Sequence, residues 1–175
     1  MTRSNPGETI GRLFEHAIAI EYKAAGVYEK FSRIFSHVAD LHDFWQRMRN
    51  DEVGHATRLK AIHQSLSLEQ LGQIADKKMW NSVMRTRQMF GTASVGTIET
   101  LDDAYELAHE MEYSEVNAIY KFLATEFVTA VDQEAFVYSQ ITQHQQKLSD
   151  FNQRFGDRES RKKIKARITG GRVSS

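Results

Sequence analysis

Cysteine is absent from this chain of 175 residues, and proline occurs once, at Pro6. Without cysteine there is no disulfide, no thiolate metal site and no thiol redox chemistry. With the lone proline ahead of the first periodic segment, nothing interrupts a helix further along. Nowhere do eighteen apolar residues follow one another, and the opening MTRSNPGETIGRLFEH has no apolar run of signal length. The expectation is a soluble, cytoplasmic protein. Charge excess is missing as well, with 23 Lys and Arg against 23 Asp and Glu. The whole molecule therefore gives no reason to expect a polyanionic partner. Glycine patterns that cradle phosphates are absent, and no Ser-His-Asp grouping is suggested.

What remains is helix. Thr9 is placed to cap a first helix whose stripe is Ile10, Leu13, Ala17, Glu21, Ala24, Tyr28, Phe31 and Phe35. After a turn at Ser36 to Asp40, a second helix is predicted from Leu41 to Ser65. Its stripe is Leu41, Phe44, Met48, Glu52, His55, Leu59, Ile62 and Leu66. Ser67-x-x-Gln70 has the form of a capping box and opens a shorter segment to about Phe90. A Gly/Ser/Thr-rich loop follows at 91–96. Thr100-x-x-Asp103 then starts a long helix with the stripe Leu101, Tyr105, Ala108, Glu112, Glu115, Ile119 and Phe122. The last helix, Asp132 to Phe155, carries Val137, Ile141, His144, Leu148, Phe151 and Phe155, and Gly156 ends it. Four long amphipathic helices joined by short, long and short connections describe an all-α four-helix bundle over residues 1–155. The long crossover, with its extra helix, makes the second and third long helices parallel. Residues 156–175 are expected to be a flexible basic tail. The last 25 residues hold eight Lys or Arg against Asp157 and Glu159. Such a tail is able to grip a nucleic acid or an acidic protein face.

Polar residues break the apolar seams at corresponding places. Glu52 and His55 form a Glu-x-x-His pair within Asp51-Glu-Val-Gly-His-Ala56, and residues three apart share one helical face. Glu21, Glu112, Glu115 and His144 intrude on the other three seams. A buried carboxylate costs several kcal/mol unless compensated, and a metal ion suits this pair of residue types. The two halves also look like copies. Ala17-Ile-Ala-Ile-Glu21-Tyr22 matches Ala108-His-Glu-Met-Glu112-Tyr113, and Phe31 matches Phe122. A repeated hairpin places Glu21, Glu52, His55, Glu112, Glu115 and His144 at one level.

The chain resembles the ferritin-like superfamily, nearest to rubrerythrins, with bacterioferritins a step further off. The passage Thr100-Leu-Asp-Asp-Ala-Tyr-Glu-Leu-Ala-His-Glu-Met-Glu112-Tyr-Ser-Glu115 carries most of the likeness, which covers residues 10–155. The resemblance implies two iron ions, with manganese the alternative. It implies a reaction with peroxide or dioxygen, re-reduction by an external electron donor, and assembly as a homodimer. Glu21, Glu52, His55, Glu112 and Glu115 match the family's ligands by type and place. The rubredoxin-like domain of many rubrerythrins needs cysteines, which this sequence lacks. The fourth helix departs from the pattern. Aligning Phe44 with Phe136 puts His144 where a Glu belongs and Lys147 where a His belongs. Either His144 replaces the missing ligand, or Lys147 neutralises the carboxylates and the bundle is a non-catalytic metal-binding or interaction protein.

Overall fold

The structure is a computed structural model. It describes residues 7–92, 97–113, 115–127 and 131–167, leaving aside the side chains at 91, 92, 115, 131–134 and 152. Among these residues every regular element is a helix, and no helix is long and apolar enough to cross a membrane.

Helix α1 spans Ile10–Ile34, with the Thr9 hydroxyl accepting from Arg12 N at 3.4 Å. A tight turn reverses the chain into α2, Ala39–Ser65. The Ser67–Gln70 capping box is present, with Gln70 N donating to Ser67 Oγ at 3.2 Å and Ser67 N to Gln70 Oε1 at 2.9 Å. It opens only α3, Leu68–Gly72, rather than one segment running to Phe90. The chain then straightens, because Gln73 to Ala75 pair with the start of α1 and the residues just ahead of it. Ile10 N donates to Gln73 O at 2.9 Å, and Ala75 N to Glu8 O at 2.9 Å. Gly11 allows this approach, since a Cβ there would stand 3.3 Å from Leu71 O. Asp76 caps the next helix, α4, Lys77–Thr92, by accepting from Met79 N at 2.8 Å.

The third long helix is two helices. The predicted Thr100–Asp103 capping box starts α5, Leu101–Glu112, and α6 follows over Glu115–Glu126. At the break Tyr113 takes φ −99° and ψ 6°. The side chain of Asn117 reaches back to the Glu112 carbonyl at 2.6 Å, bracing the chain across the break. Helix α7 spans Val131–Phe155 and ends before Gly156, whose φ is +79°.

Part of the expected flexible tail is folded. Asp157 caps α8, Arg158–Lys163. Residues 164–167 run beside the start of α5, with Leu101 N donating to Ile164 O at 3.1 Å and Ala166 N to Glu99 O at 2.7 Å. Arg161 is buried, 3.4 Å from Asp102 Oδ1 and 4.1 Å over the Tyr105 ring. Pairing with Asp102 and stacking on an aromatic face explain why a basic segment is held against the bundle. Residues 168–175 lie outside the described residues.

The core has two apolar clusters. One gathers Leu13, Phe14, Ile20, Leu59, Ile119, Leu123 and Val137. The other gathers Tyr28, Phe31, Trp45, Met48, Ala108, Leu148 and Phe151. Reading α1 and α7 forward leads from the first cluster to the second, whereas α2 and α5–α6 run the opposite way. The second and third long helices are therefore parallel, as the long crossover requires. Between the clusters each long helix contributes polar residues to one layer.

Candidate metal centre

The layer consists of Glu21, Glu52, His55, Glu112 and His144, all no more than 3% exposed. Each stands on an otherwise apolar stripe, so the packing that buries its neighbours buries it too. Glu21, Glu52 and His55 bring one donor atom apiece within 4.8 Å of one another, and so do Glu52, Glu112 and His144. Glu52 belongs to both groups.

On the first side, His55 Nδ1 lies 3.1 Å from Glu52 Oε2 and 3.6 Å from Glu21 Oε2. That ring stacks on Tyr120, with centroids 4.1 Å apart. On the second side, Glu112 is held from three directions. Tyr28 O–H donates to Oε1 at 2.6 Å and Asn117 Nδ2 to Oε2 at 3.0 Å, while His144 Nδ1 contacts Oε2 at 2.9 Å. His144 Nδ1 is also 3.6 Å from Glu52 Oε1.

Protonation follows from burial and contact. Burial, with Glu112's charge behind it, pushes the Glu52 carboxyl well above the usual range. Burial also raises Glu112, but His144, Tyr28 and Asn117 outweigh it and bring the carboxyl down to about 2. For His55 burial disfavours the charged ring, yet its contacts with Glu21 and Glu52 prevail and lift it to about 9. His144 is likewise raised, because Asp51 and Glu112 overcome desolvation. Two imidazolium ions thus balance much of the carboxylate charge in the metal-free protein.

The donors fit divalent metal ions. Carboxylate oxygens and imidazole nitrogens are the ligands that iron and manganese take, and a carboxylate common to two groups is able to bridge two ions. Glu21 Oε2 is buried without a hydrogen-bond partner, an arrangement costly for a carboxylate oxygen unless something else binds it.

A model of the rubrerythrin family matches residues 13–140. The chain belongs to the rubrerythrin family. No curated protein and no solved structure matches it significantly. The family match ends at Gln140, before His144 and Lys147, so it stops short of the part of α7 where the sequence departs from the family pattern.

Of the six residues singled out in the sequence, the structure brings together Glu21, Glu52, His55, Glu112 and His144. Glu115 opens α6, and its side chain lies outside the described residues. Lys147 is half-buried at the rim of the layer, with its ammonium bound to Asp51. Sequence reasoning missed Asp51 and Asn117. Asp51 precedes the Glu-x-x-His pair, off the apolar stripe. Asn117 interrupts no predicted stripe, and its contacts with Glu112 arise across the break between α5 and α6.

Proposed function

We propose that this protein is a dinuclear, rubrerythrin-like redox protein that reacts with peroxide or dioxygen and is reduced again by an external electron donor. The observation that carries the reading is the pair of buried ligand groups sharing Glu52 inside this family's bundle. Glu21, Glu52 and His55 would hold one ion and Glu52, Glu112 and His144 the other, with Glu115 a further ligand on the family pattern. Iron bound there would supply the electrons and an open coordination position for the oxidant. Tyr28 and Asn117 fix both oxygens of Glu112, so that carboxylate is oriented in advance. The two apolar clusters pack above and below the layer.

One observation favours a second reading. Among its described side chains α7 brings one donor to the layer, His144, and its other candidate position is a lysine bound to Asp51. A bundle that binds metal without redox turnover accommodates that feature. Anaerobic Fe(II) loading followed by peroxide addition separates the two. The proposed function requires about two Fe(II) per chain, most of it lost in Glu21→Ala and Glu112→Ala, and peroxide consumption sustained by a reductant. Metal uptake without peroxide consumption supports the second reading. A folded helical protein that takes up no iron overturns both.

A further inference from the structure

Adjacent residues of α2 face different surroundings. Glu52 points into the buried layer, while Asp51, about 100° further round the helix, sits at the rim with its side chain 29% exposed. Its Oδ2 meets two residues of α7 that lie one turn apart. His144 Nε2 is 3.0 Å away, and the Lys147 ammonium binds the same oxygen. The contact to Nε2 is bent out of hydrogen-bond alignment, and that buried nitrogen has no other hydrogen-bond partner. The opposite ring nitrogen, Nδ1, faces Glu112 and Glu52. The His144 ring therefore stands between the inner carboxylates and Asp51.

An imidazole that binds a metal through one nitrogen carries a hydrogen on the other, and the acceptor of that hydrogen sets the ring's tautomer and orientation. Nδ1 is turned toward the second ligand group, and Asp51 Oδ2 is the acceptor available to Nε2. Lys147 complements this arrangement. It neutralises Asp51 and restrains the carboxylate at the rim, while Asp51 keeps the ammonium from Glu52 and Glu112. Beside them a polar cavity of about 20 Å³, lined by Asp51, His55, Gln140, Gln143, His144 and Lys147, has room for a single water.

We propose that Asp51, tethered by Lys147, is a positioning residue for His144, holding the ring so that Nδ1 is offered to the second metal position. This rests on the dinuclear reading above. It explains how a fourth helix with one histidine and a lysine completes the centre. The lysine neither ligates nor blocks, but anchors the carboxylate that orients the ligand.

Co(II) titration of the full-length, metal-free chain tests this, followed by visible absorption and by thermal melting. Wild type is expected to bind two ions. Asp51→Ala should weaken the second ion by about 10–100-fold and shift its ligand-field bands, leaving the first unchanged. Asp51→Asn, which keeps an acceptor oxygen facing Nε2, should lose less than Asp51→Ala. Lys147→Met should weaken the same ion, since it releases Asp51. Wild-type affinities and bands in Asp51→Ala overturn the inference. Equal loss of both ions with a lowered melting temperature also overturns it, because Asp51 then serves the fold. A wild-type chain that binds no Co(II) removes the dinuclear reading itself, and this inference with it.

Discussion

Five ionisable side chains form the buried layer, and their protonation is as informative as their positions. In the metal-free protein His55 holds its proton up to about 9, and His144 is also raised. A metal ion takes only the neutral ring, so each imidazole must give up its proton when it becomes a ligand. Loading at pH 7 should therefore release about two protons from the histidines, with Glu52 adding to that number. Calorimetric titration of Fe(II) or Co(II) in buffers of different ionisation enthalpy measures the release. A slope near zero would mean that the imidazoles are neutral beforehand and that the carboxylates lack the compensation drawn here. These five residues were legible in the sequence because each is a polar intruder on an apolar stripe, and the stripe fixes where it points. Asp51 and Asn117 were not, since neither interrupts a stripe. What makes them matter is a contact with another helix or across a break.

At the scale of elements, the bounds of α1, α2 and α7 follow closely from periodicity and caps. The failures are places where distant residues decide. The segment after Ser67 splits because Gln73 to Ala75 find partners at the start of α1 and just ahead of it, and no local pattern announces that pairing. The basic tail folds back because Arg161 finds Asp102 and the Tyr105 ring, which a charge count does not reveal. The break between α5 and α6 has no glycine or proline to mark it. It is supported by Asn117, whose Nδ2 serves both the Glu112 carbonyl at 2.6 Å and its carboxylate at 3.0 Å. Asn117→Leu, close in volume, removes both buried hydrogen bonds and should cost about 1–3 kcal/mol. For a chain of this size that lowers the melting temperature by roughly 2–12 °C. It should also loosen Glu112 and reduce metal affinity on that side. An unchanged melting temperature together with unchanged metal binding would show that the break is held by other groups.

Across the whole molecule, the bundle is two apolar cores separated by a layer of ionisable groups, and the layer decides how stability depends on pH. His55, His144 and Glu52 all have folded pKa values above their unfolded ones. Groups of that kind contribute stability that is fully present below the unfolded value and is lost as pH rises through the folded one. For His55 the window runs from its ordinary 6.5 up to about 9, a change worth about 3 kcal/mol. Glu112 works in the opposite sense. Its carboxyl is held at about 2, so its contribution is present above the ordinary 4.5 and fades only as pH falls toward 2. The metal-free protein should thus be most stable on the weakly acid side of neutrality, and its melting temperature should fall between pH 6.5 and 9. Bound metal replaces the protons as the compensating charge, and fewer protons compete with it as pH rises. The rise in melting temperature on adding Fe(II) or Co(II) should therefore grow across the same window. Melting curves of chelator-treated and metal-loaded protein at pH 6, 7, 8 and 9 measure both trends. A chelator-treated protein whose melting temperature stays level from pH 6 to 9 would mean that the imidazolium charges do not hold the layer together. A metal increment that does not grow with pH would mean that the ions bind elsewhere.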